Sequence, residues 1–147
     1  MLKRYLPLFL LPALFLSCSK NKLETKPGIE LKSMNTDVFP GQTLDISLDF
    51  TDKEGDLGGG ALVYKRQRLN IRGIPDAQSN DKADSIATSL PTFPKSTFGN
   101  FVITLPYDFL TEDPNDNDTM VFHIYAIDLG GHSSDTITTP MVIEHQN

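Results

Sequence analysis

The stretch from Thr43 to Phe50 constrains this chain more than any other. Leu44, Ile46, Leu48 and Phe50 alternate with Asp45, Ser47 and Asp49, a period of two that sends one set of side chains to each face of an extended backbone. A helix, with a period of 3.6, would scatter those four apolar residues around its axis. The pattern therefore demands a strand with one buried face. No segment shows a sustained helical period, and short apolar runs separated by turn clusters recur along the chain. Ile29 to Met34 is expected as a first, edge strand. Ala61 to Ile71 and the stretch marked by Phe101, Ile103 and Leu105 are expected as further strands. Met120 to Ile127 is apolar on both faces and belongs in the middle of a sheet. Thr136 to Glu144 closes the set, with Pro140 marking an edge or a bulge. One helical turn is expected at Tyr107 to Phe109. The sum is an all-β sandwich.

The connections are polar. Phe39-Pro40-Gly41-Gln42 reads as a turn, and Gly55, Gly58, Gly59 and Gly60 let the connection after the 43–50 strand wrap closely. Residues 75–97 carry no periodicity and are rich in Asp, Ser, Ala and Pro. A loop this long is uncommon in a compact domain; it covers an edge, packs through Leu90, Phe93 and Phe98, or carries a variable binding surface. Lys65, Arg66 and Arg68 read as a solvated strand face, and Asp113 to Asp118 as a solvated loop.

The N-terminus has a different character. Lys3 and Arg4 precede an apolar run from Tyr5 to Leu16, followed by Ser17 and Cys18. The run is shorter than the roughly 20 apolar residues a membrane-spanning helix needs, so it reads as a secretory segment. Charge, apolar run, small residue and cysteine occur in the order of a lipobox, and the segment resembles a bacterial lipoprotein signal. That resemblance implies cleavage after residue 17 and a diacylglycerol on Cys18. Cys18 is the only cysteine in the sequence, so an intramolecular disulfide is excluded. Ser19 after it, by the Gram-negative sorting pattern, implies the outer membrane, with the periplasmic or outward face left open. Residues 18–28 would form a lipidated tether, and 29–147 one domain. Removing 17 of 147 residues leaves 130, enough for one core. Taking Lys3 and Arg4 from the 13 basic residues leaves a net charge of −8 against 19 acids, which argues against nucleic acid as a partner.

Two further stretches resemble a family. Phe50-Thr51-Asp52-Lys53-Glu54-Gly55-Asp56-Leu57 is similar to the acidic loop after an early strand in immunoglobulin-like and cadherin-like bacterial modules. Tyr125-Ala126-Ile127-Asp128-Leu129-Gly130-Gly131-His132-Ser133-Ser134 is similar to their last hairpin. The resemblance implies an immunoglobulin-like (cadherin-like) antiparallel β-sandwich whose two loops share one pole. It further implies a Ca²⁺ site there, built from Asp52, Glu54, Asp56 and Asp128, since calcium takes six to eight oxygens. The other reading of these acids is that they cap turns by accepting backbone N–H groups. Of the histidines, His123, His132 and His145 show no ligand spacing, and His132 is placed to reach Asp128 or Asp135. Neither a nucleophile elbow nor a phosphate loop is present in the sequence, so a non-catalytic role is expected. The expectation is a membrane-anchored binding or adhesion module contacting an envelope protein or glycan. The alternative is an accessory subunit of an envelope complex, whose open sheet edge pairs with another strand.

Overall fold

A computed structural model describes residues 25–74 and 85–147. The expected signal at 1–17, Cys18, the tether up to residue 24 and the 75–84 part of the long loop lie outside the described residues. Among the described residues, no helix is long and apolar enough to cross a membrane.

Nine strands and one helical turn follow in order: β1 (Gly28–Met34), β2 (Asp37–Val38), β3 (Thr43–Thr51), β4 (Ala61–Arg68), β5 (Ser85–Ser89), β6 (Phe98–Pro106), α1 (Tyr107–Leu110), β7 (Asp118–Ile127), β8 (Ile137–Thr138) and β9 (Val142–Glu144). They form two sheets, β1-β3-β6 and β2-β9-β7-β4-β5, with β8 also on β7. In immunoglobulin lettering β1, β3 and β6 take the A, B and E places, while β4, β5, β7 and β8/β9 take C, C′, F and G. The protein is an all-β, immunoglobulin-like sandwich. The chain changes sheet after β1, and β2 pairs with β9 in parallel; the other ladders are antiparallel.

The alternation in β3 is realised as expected. Leu44, Ile46 and Leu48 are fully buried and Phe50 is 5% exposed. They face Leu62 and Tyr64 of β4 and Met120, Phe122, Ile124 and Ala126 of β7 in one core. Each such side chain contributes about 1.5–3 kcal/mol by leaving water. Strand β7 lies inside its sheet, between β4 and β8/β9. Pro140 interrupts the closing strand between β8 and β9, and Thr139 bridges the gap: its N–H donates to Phe122 O and its hydroxyl accepts from Phe122 N–H.

Several expectations are corrected. The strand expected over Ala61–Ile71 ends at Arg68 as β4, and residues 85–89 of the expected 75–97 loop form β5 on the outer side of β4. Strand β5 is nearly all exposed, so its side chains carry no alternation to read. Within the remainder of that loop Leu90 is buried and Phe93 packs on Phe50, whereas Phe98 is 73% exposed. Lastly, Arg66 is not solvated. It shares an inward parity with Leu62 and Tyr64 and is 1% exposed. Its guanidinium pairs with Glu112, donates to Phe109 O at 2.6 Å and lies 5.0 Å from the Phe109 ring centroid. The ends of the Glu112–Asp118 segment, Glu112, Asp113 and Asp118, are buried around it, while residues 114–117 stand in solvent as expected. Asp118 is fully buried; its Oδ1 accepts from Arg68 Nε at 2.5 Å, and its Oδ2 accepts the N–H groups of Glu112 and Asp113. Glu144, also fully buried, accepts from the Thr111 hydroxyl and the Gln146 amide. This network closes one pole of the sandwich.

Candidate functional site

The opposite pole holds the loop 52–60 between β3 and β4 and the hairpin turn 128–136. The two loops meet: Leu129 N–H donates to Asp56 O at 3.2 Å. Gly60 is squeezed between them, where a Cβ would overlap Ile127 O. Gly131 reverses the hairpin with φ 83°, a conformation open chiefly to glycine.

The four acids expected here have different fates. Asp52 is 2% exposed, and both carboxylate oxygens are engaged. Oδ1 accepts from Glu54 N–H, and Oδ2 accepts from Asp56 N–H at 2.7 Å and Leu57 N–H at 2.8 Å. It acts as the organising turn residue of its own loop. Asp56 Oδ1 is buried with no hydrogen-bond partner among the described residues, outside the group described next. Glu54 and Asp128 do converge, and His132 joins them: one ligand atom from each lies within 4.8 Å of the others. Asp128 has a fully buried side chain; Oδ1 accepts from His132 N–H at 2.8 Å, and Oδ2 lies 3.1 Å from His132 Nδ1. His132 is therefore part of the group that the acidic spacing alone did not include. The hint in the sequence was its i+4 offset from Asp128 across a Gly-Gly turn.

As folded, this donor set suits calcium poorly. Asp52 is spent on backbone N–H groups and Asp128 on His132, which leaves few of the six to eight oxygens calcium takes. A carboxylate pair with an imidazole is closer to the ligand chemistry of zinc-like ions.

The chain reaches β1 at this same pole, since Gly28 stands opposite Thr51. Lys26 Nζ meets Asp135 Oδ1 at 2.8 Å on the surface. At the β6 edge, an apolar cleft of about 560 Å³ opens beside the 90–96 segment, lined by Phe50, Leu90, Phe93, Pro94, Phe98 and Phe101.

No protein-family model matches the chain, and no curated protein matches it. Solved structures do resemble it. A β-glucosidase from Listeria innocua in complex with glucose is 9% identical, with a TM-score of 0.44 over 82% of this chain; this chain spans 16% of that enzyme's length. A cohesin module from a family 33 glycoside hydrolase of Clostridium perfringens is 12% identical, with a TM-score of 0.41 over 80% of this chain and 96% of that one. The PKD domain of an M14-like peptidase from a Thermoplasmatales archaeon is 14% identical, with a TM-score of 0.39 over 80% and 90%.

Proposed function

We propose that the protein is a lipid-anchored, non-catalytic binding module of the bacterial cell envelope. The observation that carries this reading is the placement of Leu16-Ser17-Cys18 ten residues ahead of a sandwich whose first strand begins at Gly28. Ten residues reach at most about 33–36 Å. An acylated Cys18 would hold the pole of Asp52, Asp128 and His132 towards the bilayer. The opposite pole, with the Glu112–Asp118 segment and residues 69–74, would face away and be the part open to an envelope protein or glycan.

Expression of the full chain in a Gram-negative host with labelled palmitate tests the anchor. Wild type incorporates label and sediments with outer membrane, and Cys18→Ser does neither. Label in Cys18→Ser, or none in wild type, overturns the anchor.

Cation binding belongs to this reading in a narrower form than the sequence suggests. Its ligands would be Glu54, Asp128 and His132, and its ion zinc-like. Thermal melting with excess Zn²⁺ and separately Ca²⁺ tests it. A ligand at 100 times its dissociation constant stabilises by about 2.7 kcal/mol. A rise with Zn²⁺ that His132→Ala removes supports the imidazole ligand. A rise with Ca²⁺ that Asp128→Asn removes restores the all-oxygen site, and no rise with either leaves the group a structural turn.

A further inference from the structure

Both outer strands of the three-stranded sheet are unpaired on one side among the described residues, and they differ. β1 carries Glu30 and Lys32 and a register slip between Leu31 and Ser33, devices that blunt a sheet edge against pairing. β6 has neither. Its nine residues hold no charge and run in unbroken register along β3. Phe98 and Val102 on it are 73% and 55% exposed.

The phase of the β3–β6 ladder shows which backbone groups face outward. At one end Asp52 N–H donates to Thr97 O at 2.8 Å; at the other Tyr107 N–H donates to Gln42 O at 3.2 Å. Both bonds join an odd-numbered residue on the β6 side to an even-numbered one on the β3 side. Bonded and non-bonded pairs alternate in an antiparallel ladder, so the N–H and C=O groups of Asn100, Val102 and Thr104 point away from β3. The side chains of these three residues are exposed as well.

We propose that β6 is the surface through which two copies of this chain pair, antiparallel about a two-fold axis at Val102, making one continuous six-stranded sheet. In that register Val102 meets its own copy and Asn100 meets Thr104, with no like charges opposed. The ends match too. Phe98 O already accepts from Ser96 Oγ at 2.6 Å, and Pro106, which stands opposite it, has no N–H to donate. Sliding the copies by two residues breaks this match. One direction sets Pro106 against the Asn100 carbonyl; the other sets Thr104 N–H against the engaged carbonyl of Phe98. The two-fold axis sends the two Gly28 ends in opposite directions, so the pairing concerns the domain itself and not its anchored arrangement, and it rests on no cation.

The test is disulfide trapping in the full chain carrying Cys18→Ser, where the introduced cysteines are the only thiols. Bonded antiparallel pairs hold their Cα atoms about 5.5 Å apart, within disulfide reach. Val102→Cys is expected to give a dimer on mild oxidation, absent from the Cys18→Ser parent and from Thr88→Cys on exposed β5. Asn100→Cys alone stays monomeric, and Asn100→Cys with Thr104→Cys restores the dimer. Val102→Lys, which opposes two ammonium groups, loses amine-independent chemical cross-linking while melting like wild type. Three results would each overturn the pairing: a Val102→Cys chain that melts like wild type yet stays monomeric, Asn100→Cys cross-linking as readily alone, or Val102→Cys captured by a different protein.

Discussion

Arg66→Ala is the sharpest test of how the sandwich is closed. Arg66 is 1% exposed, its side chain pairs with a Glu112 carboxylate that is 7% exposed, and it donates to Phe109 O. Truncation leaves a carboxylate buried without that partner and removes the contact over the Phe109 ring. Breaking a buried pair from one side costs about 3–5 kcal/mol. Arg68 Nε stands 3.8 Å from the other Glu112 oxygen and softens the loss, so about 3 kcal/mol is expected. A surface ion pair would lose about 0–1 kcal/mol. The two predictions are far enough apart for urea unfolding of the purified protein to separate them. The midpoint falls with the slope unchanged, and the melting temperature falls by roughly 6–15 °C for a domain of this size. The double variant Arg66→Met with Glu112→Leu removes both charges and recovers most of the loss, because a well-packed apolar pair replaces a buried ionic one at little cost. A loss below about 1 kcal/mol in Arg66→Ala would refute the reasoning, as would a double variant as damaged as the single one.

Further outcomes follow from single groups. Asp52→Ala removes the acceptor of three loop N–H groups and lowers stability by about 1–3 kcal/mol per donor left buried and unmet; denaturant unfolding reads it, and Asp52→Asn retains part. Gly60→Ala drives a methyl into Ile127 O and costs about 1–3 kcal/mol as an overpacked site, seen as a lower melting temperature without loss of the β-sheet circular dichroism signal. The hydrogen bond from His145, helped by the Thr36 hydroxyl, holds the Asp37 carboxyl below its usual value. A depressed carboxylate favours the fold above its unfolded pKa, and that contribution disappears as pH falls through the folded one. Wild type should therefore lose more stability than Asp37→Asn between neutral pH and about pH 3, measured by melting at both pH values.

Much of the scaffold is legible in the residues because burial on one face writes a period of two. β3 and β7 show it plainly, and β1, α1 and the break at Pro140 fall where local chemistry places them. The same rule could have found the far pole. Arg66 stands two places after Tyr64, and Asp118 two places before Met120, each in step with buried neighbours. Charge suggested solvent at both positions, and parity outweighs it because the partners Glu112 and Arg68 arrive from elsewhere in the chain. β5 was hidden for the opposite reason, since backbone pairing to β4 holds it with little side-chain burial. At the near pole the meeting of the two loops follows from strand order, which the family resemblance supplied and periodicity did not. That resemblance left out His132, whose role depends on the Asp128 carboxylate closing the hairpin around it.

The parallel pairing of β2 with β9 ties Asp37 to Ile143 and Val38 to Glu144. These contacts span nearly the whole domain, and long-range pairings of this kind slow folding, because a large loop must close before they form. β9 also completes the edge of β7, so β2 has nothing to dock on until the last strand is in place. Sequential pairs such as β4–β5 and β7–β8 can assemble early, whereas the seam between β2 and β9 is the step that commits the chain. A ribosome or translocation pore that still holds residues 142–144 would keep the sandwich unsealed, and the domain would lock only after those residues are released.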